Sequence, residues 1–203
     1  MKTMKLILSA AALLALSVPA AFAQSSTSTA DPKPGEIQQR KENQQDRIAQ
    51  GVQSGQLTAG ETKNLETKEA RLNKEERTMR AEDNGHLTAA DRARLNRQQN
   101  RLSNQIHADK TNANVAHYGN NEVGQRREDQ QDRIAQGIKS GQLTPGETAK
   151  LENQQQGINK AVSGMRQANV GKLTQADKKA VNQQQNQASK NIYNKKHNAK
   201  TQK

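Results

Sequence analysis

Cysteine is absent from the chain, which excludes disulfides, thiolate metal sites and a lipid anchor on an N-terminal cysteine. Tryptophan is absent too, and the aromatic residues are Phe22, Tyr118 and Tyr193. The chain therefore lacks the stacking platforms on which single-stranded nucleic acids are held. Large aliphatic residues are scarce: from residue 24 onward Ile, Leu, Val and Met together number 24. At that level disorder competes with folding, and any core must be thin.

The one apolar run, over residues 6–18, falls short of the roughly 20 residues needed to span a bilayer. Lys2 and Lys5 precede it and Ala21-Phe22-Ala23 follows it, so residues 1–23 are expected to be a secretory signal, with the mature chain starting near Gln24. Removing it takes the formal charge from +12 to +10, since Lys2 and Lys5 go and no acid does. The expected product is basic, periplasmic or secreted, and free of any integral membrane segment.

One short stretch recurs four times: GQLTAGE from Gly55, GHLTAAD from Gly85, GQLTPGE from Gly141 and GKLTQAD from Gly171. Each reads as a helix end followed by a helix start. The glycine suits the left-handed residue that closes one helix, and Thr58, Thr88, Thr144 and Thr174 suit the N-cap of the next. Glu61, Asp91, Glu147 and Asp177, three residues on, complete a capping box, and Pro145 fits a first helical position.

The four corners sit inside a larger repetition. The string QQDRIAQG from Gln44 returns at Gln130, and SGQLT from Ser54 returns at Ser140, an offset of 86 without gaps. Leu65, Leu72 and Met79 stand a heptad apart, as do Leu151, Ile158 and Met165, which is the spacing of a coiled-coil seam. The expected fold is all-α: two tandem three-helix repeats of antiparallel hairpins. The organisation reads as signal 1–23, Ser/Thr/Pro-rich flexible lead 24–35, first repeat 36–112, an Asn/Gly-rich linker 113–124, second repeat 125–197 and a basic tail 198–203. Acid–base pairs such as Glu76 with Arg80 are expected to support exposed helix faces.

Candidate chemistries divide on residue type. The corner imitates the second half of a calcium-binding helix–loop–helix loop, with Gly55 at position 6 and Glu61 at 12. Positions 1, 3 and 5 would then be Gln50, Val52 and Ser54, which do not make the oxygen cage calcium needs; the second copy, with Arg80, Glu82 and Asn84, is the best of the four and is still poor. His86, His107, His117 and His197 form no pair at helical spacing, so no transition-metal site is expected. No nucleophile with a base, no phosphate loop and no carboxylate in an apolar setting stands out, so neither an enzyme nor a cofactor is expected.

Charge is unevenly spread. Residues 36–121 carry 14 basic and 12 acidic side chains, whereas residues 153–203 carry 10 basic and one acidic. Where the first half has Glu66, Glu69, Glu75, Glu76, Glu82 and Asp83, the second has Glu152, Gln155, Ala161, Val162, Ala168 and Asn169; these read as differing surfaces. Lys160, Arg166, Lys172, Lys178, Lys179, Lys190, Lys195 and Lys196 are the residues through which a polyanion would bind, weakly.

The Leu-Thr-X-X-Glu/Asp corner resembles the Leu-Thr-X-X-Gln signature of small helical periplasmic stress chaperones of the Spy and CpxP kind, with an acid in place of Gln. The combined RIAQG and SGQLTxGE pattern is similar to exported bacterial proteins that carry two such repeats. The first resemblance implies a protein partner or an unfolded client; the second implies no activity. The expectation is an exported, non-enzymatic helical binding protein, a chaperone or scaffold, with polyanion binding through the basic half as the alternative.

Overall fold

The computed structural model describes residues 35–202. The signal at 1–23, all of the lead but Gly35, and Lys203 lie outside the described residues. Within them the chain is all-α: α1 Glu36–Gln53, α2 Ala59–Glu82, α3 Ala89–Thr111, α4 Glu122–Lys139, α5 Pro145–Ala168 and α6 Gln175–Lys196. The starts of α4, α5 and α6 each follow those of α1, α2 and α3 by the 86-residue offset of the sequence. None of these helices is long and apolar enough to cross a membrane.

Buried glutamines sew α3 to α1. Gln44 Nε2 donates to the Gln99 carbonyl at 2.7 Å, and Gln99 Nε2 donates to the Ile37 carbonyl at 2.9 Å. Gln130 and Gln185 repeat both bonds between α4 and α6, at 2.7 and 2.8 Å. A buried amide must find partners or lose its hydration for nothing, so these bonds fix the register of each helix pair.

The most extensive helix pairings are α2 with α5 and α1 with α4, so α1 and α2 dock on their counterparts while α3 and α6 pack within their own halves. Lys63 Nζ donates to Gln156 Oε1 at 3.2 Å, while Ala70 shares a cavity with Pro145 and Gly146. The contact rises along α2 as it falls along α5, and the two helices run antiparallel. One apolar cluster is shared: Ile48, Leu65, Leu72, Met79 and Leu102 meet Ile134, Ile138, Leu143, Leu151 and Ile192. A smaller cluster of Val123, Ile158, Val162, Val181 and Ala188, with Met165 and Leu173 against it, fills the end of the second half. Pooling is what makes a sparse apolar set sufficient, since each fully buried aliphatic contributes roughly 1.5–3 kcal/mol.

Two segments differ from the reading of the sequence. The helix expected from residue 125 starts at Glu122, because Asn121 caps it by accepting from the Gly124 N–H at 3.1 Å. The linker and the tail fold back as latches: Ala116 N–H donates to the Gly55 carbonyl at 2.8 Å, and Gln202 N–H to the Gly141 carbonyl at 2.9 Å. Asn112 and Asn198 reach Glu61 Oε1 and Glu147 Oε1 at 2.8 and 2.7 Å. Their composition reads as loop, but their partners lie some 50 residues away at the capping glutamates.

Candidate functional site

Gly55, Gly85, Gly141 and Gly171 all take left-handed φ, between 70° and 89°. Each following threonine accepts from the backbone N–H of its acidic partner while the acid accepts from the threonine N–H, so all four corners are closed capping boxes. Glu61 is fully committed: one oxygen takes Thr58 N–H and Oγ–H at 2.9 and 2.7 Å, and the other takes Asn112 and Asn114. These hydrogen bonds hold its carboxyl below the usual range despite partial burial. Among the described residues no group of three or more His, Asp or Glu is arranged to hold a metal.

The interior holds ionisable groups that sequence reading placed on the surface. Glu66, Glu69 and Glu152 are 0 % exposed. Burial pushes Glu69 up to about 7, against the nearby Lys41, and Glu152 up to about 8; Glu66 rises well above the carboxylate range through burial and then the charge of Glu69. Glu76 is buried but goes the other way, because Lys41 and Arg80 outweigh its desolvation. The helical spacing of these acids looked like a solvated face; which face is solvated depends on a partner helix 86 residues off. Glu66 and Glu152 lie at the α2–α5 interface, whereas Glu69 and Glu76 each border a cleft beside Lys41.

The eight basic residues do not form one patch. Arg166, Lys172, Lys178 and Lys179 line a cleft of about 870 Å³ at the α5–α6 corner, together with Leu173 and Val123 and one acid, Glu122. Lys195 and Lys196 lie at the other end of α6, where Lys195 faces the charge of Glu147 and Lys196 abuts Gly137. Lys160 and Lys190 are exposed on α5 and α6 outside that cleft. Arg166 also borders a second cleft of about 440 Å³ with Arg127 and His117. Arg127 stacks 5.3 Å over the Tyr118 ring, and burial, which also pushes the Tyr118 hydroxyl up, pulls its guanidinium down.

The equivalent corner of the first half has fewer cations: His86, Arg92 and Ala93 stand where Lys172, Lys178 and Lys179 do, and Arg92 donates to the Leu87 carbonyl at 2.7 Å. Arg80 binds Glu76 at 2.8 Å, Lys41 binds the same carboxylate at 2.9 Å, and Arg94 binds Glu75 at 2.6 Å. With Arg40–Glu36 these are the ion pairs among the described residues, and all lie in the first three helices. Val162 and Ala161 stand where those two glutamates would be, so Arg166 has no such partner. No protein-family model, curated protein or solved structure matches the chain.

Proposed function

We propose that the protein is an exported, non-enzymatic helical binding protein that takes a polyanionic partner on the basic cleft of its second half. The observation that carries this reading is the contrast between corners: four cations share a cleft with one acid at α5–α6, whereas at the matching positions of α2–α3 His86 and Ala93 replace Lys172 and Lys179, Arg92 donates to a backbone carbonyl, and Arg80 is paired with Glu76. Like charges gathered without counterions do nothing for the fold and raise the local potential, which draws anions in and speeds their encounter.

The reading as a chaperone or scaffold for a protein client is second. It rests on the corner resemblance and on the exposed Tyr193 and Val115. The heptad residues that would grip a client are turned inward, which favours the charge-based reading.

The test uses the whole chain, since both halves draw on one core. The triple variant Lys172→Glu/Lys178→Glu/Lys179→Glu is compared with Arg71→Glu/Lys74→Glu/Arg77→Glu on heparin and on a single-stranded oligonucleotide. The first triple is expected to elute at much lower salt and to flatten the log–log salt slope by roughly 2, at about 0.7 per phosphate contact; the second is expected to change little. Equal shifts for the two triples would overturn the reading.

A further inference from the structure

Val170 is 96 % exposed and holds a left-handed φ of 50°. A β-branched side chain crowds its own backbone there; such strain persists where the surrounding structure holds it, and it clusters at functional sites. Its counterpart at the first-half corner is Asn84, at φ 51°, a residue type that visits this region readily. Here the chain puts an aliphatic side chain in the costlier conformation and gains no burial from it.

The surroundings of Val170 are basic. Gly171 and Lys172 follow it on the wall of the cleft that also holds Arg166, Lys178 and Lys179. Two acids are near. Asp177 is taken up by its cap, accepting from Thr174 N–H and Oγ–H and from Asn169, and Glu122 lies on the cleft wall. A bare polyanion would use the cations and leave Val170 in water. An anionic bilayer uses both, because its phosphates meet the cations while the aliphatic tip enters the headgroup boundary.

We infer that the α5–α6 corner docks on an anionic lipid surface, with Val170 inserted between headgroups and Arg166, Lys172, Lys178 and Lys179 on the phosphates. This rests on the polyanion reading above and narrows it to one partner. A single aliphatic tip with four cations makes the attachment shallow and reversible.

The experiment is co-sedimentation of the full chain with vesicles of phosphatidylcholine alone or with phosphatidylglycerol, beside heparin retention. Wild type is expected on the anionic vesicles only. Val170→Asn installs the residue of the first corner, so its melting temperature should not fall. Its partition to anionic vesicles should drop roughly threefold to tenfold, with heparin retention unchanged. The Lys172→Glu/Lys178→Glu/Lys179→Glu variant should lose both. Unchanged vesicle binding by Val170→Asn overturns the inference, as does heparin retention without any vesicle binding, which leaves the polyanion reading standing. Failure of the wild type on both supports removes both readings.

Discussion

Glu66 on α2 and Glu152 on α5, 86 residues apart in sequence, are fully buried at the same helix–helix interface, close enough for Glu66 to feel the charge of Glu152. Each accepts one hydrogen bond from a glutamine of its own half, Gln45 Nε2 at 3.2 Å and Gln131 Nε2 at 3.0 Å, and keeps its other oxygen without a protein partner. Two ionised carboxylates in that setting repel each other and lack solvent, so the protonated forms belong to the fold.

The pH dependence follows in sign. Glu66, Glu69 and Glu152 have raised folded values, so the native chain binds more protons than the unfolded one between the ordinary value of 4.5 and the raised values of about 7 and 8. Their contribution is complete below the unfolded value and is lost as pH rises through the folded ones. Glu61, Glu76 and Glu147 are lowered and act oppositely, losing their contribution as pH falls below the usual carboxylate range. Urea unfolding of the full chain should be hardest at about pH 5 and ease toward pH 8. A stability that climbs from pH 5 to pH 8 would show that the buried acids titrate normally.

Glu69 can be relieved by copying the other half. Its counterpart Gln155 donates from Nε2 to Gln130 Oε1 at 3.0 Å, while the matching acceptor in the first half, Gln44 Oε1, is buried without a partner. Glu69→Gln should supply that donor and remove a buried acid. We expect a melting temperature several degrees higher at pH 8, at about 2–4 °C per kcal/mol for a chain of this size, and a smaller gain at pH 5. An unchanged or lower melting temperature at pH 8 would count against the reading.

The corner leucine explains a glycine inside a helix. Leu57 N–H donates to the Gly51 carbonyl at 2.9 Å and its side chain lies on Gly51, where a Cβ would stand 2.6 Å from Leu57 Cδ1; Leu143 and Gly137 repeat both features. In an exposed helix Gly→Ala stabilises. At these two positions the added methyl overpacks a buried contact, and Gly51→Ala or Gly137→Ala should each cost about 1–3 kcal/mol in urea unfolding. Gly157→Ala, with open space around its Cβ, is the control that should not destabilise.

Legibility tracked the range of the chemistry. Helix ends are set by residues three or four apart, so Gly55, Thr58 and Glu61 announce their corner without help from the rest of the chain. The basic cluster at Lys172, Lys178 and Lys179 was legible as charge, though its division from Lys195 and Lys196 was not, since helix length separates them. Burial of Glu66, Glu69 and Glu152 was hidden for a different reason. The i, i+3 spacing of Glu66 and Glu69 matches that of solvated acids, Glu152 stands alone in its register, and the helix that covers each is chosen by tertiary docking. Val170 gave no signal, because its φ is imposed by a corner whose first-half copy carries Asn84.

The C-terminal segment, which reads as a free basic tail, should prove structural. Gln202 bonds to three places at once: its N–H to the Gly141 carbonyl, and Nε2 to the Leu143 carbonyl at 2.5 Å and to Gln45 Oε1 on α1 at 2.9 Å. It therefore closes the corner of the second half and ties it to the first. Asn198 upstream holds Glu147, and its own Oδ1 accepts from the Lys200 N–H at 2.8 Å. At about 0.5–1.5 kcal/mol net per hydrogen bond, deleting residues 199–203 should cost on the order of 2–3 kcal/mol. Asn198→Ala, which keeps every charge, should cost about 1 kcal/mol. Urea midpoints of both variants at one ionic strength separate this from electrostatics, because the deletion also removes Lys200 and Lys203, and with them some self-repulsion. A truncated chain as stable as the full one would mean that the segment does not hold the corner in solution.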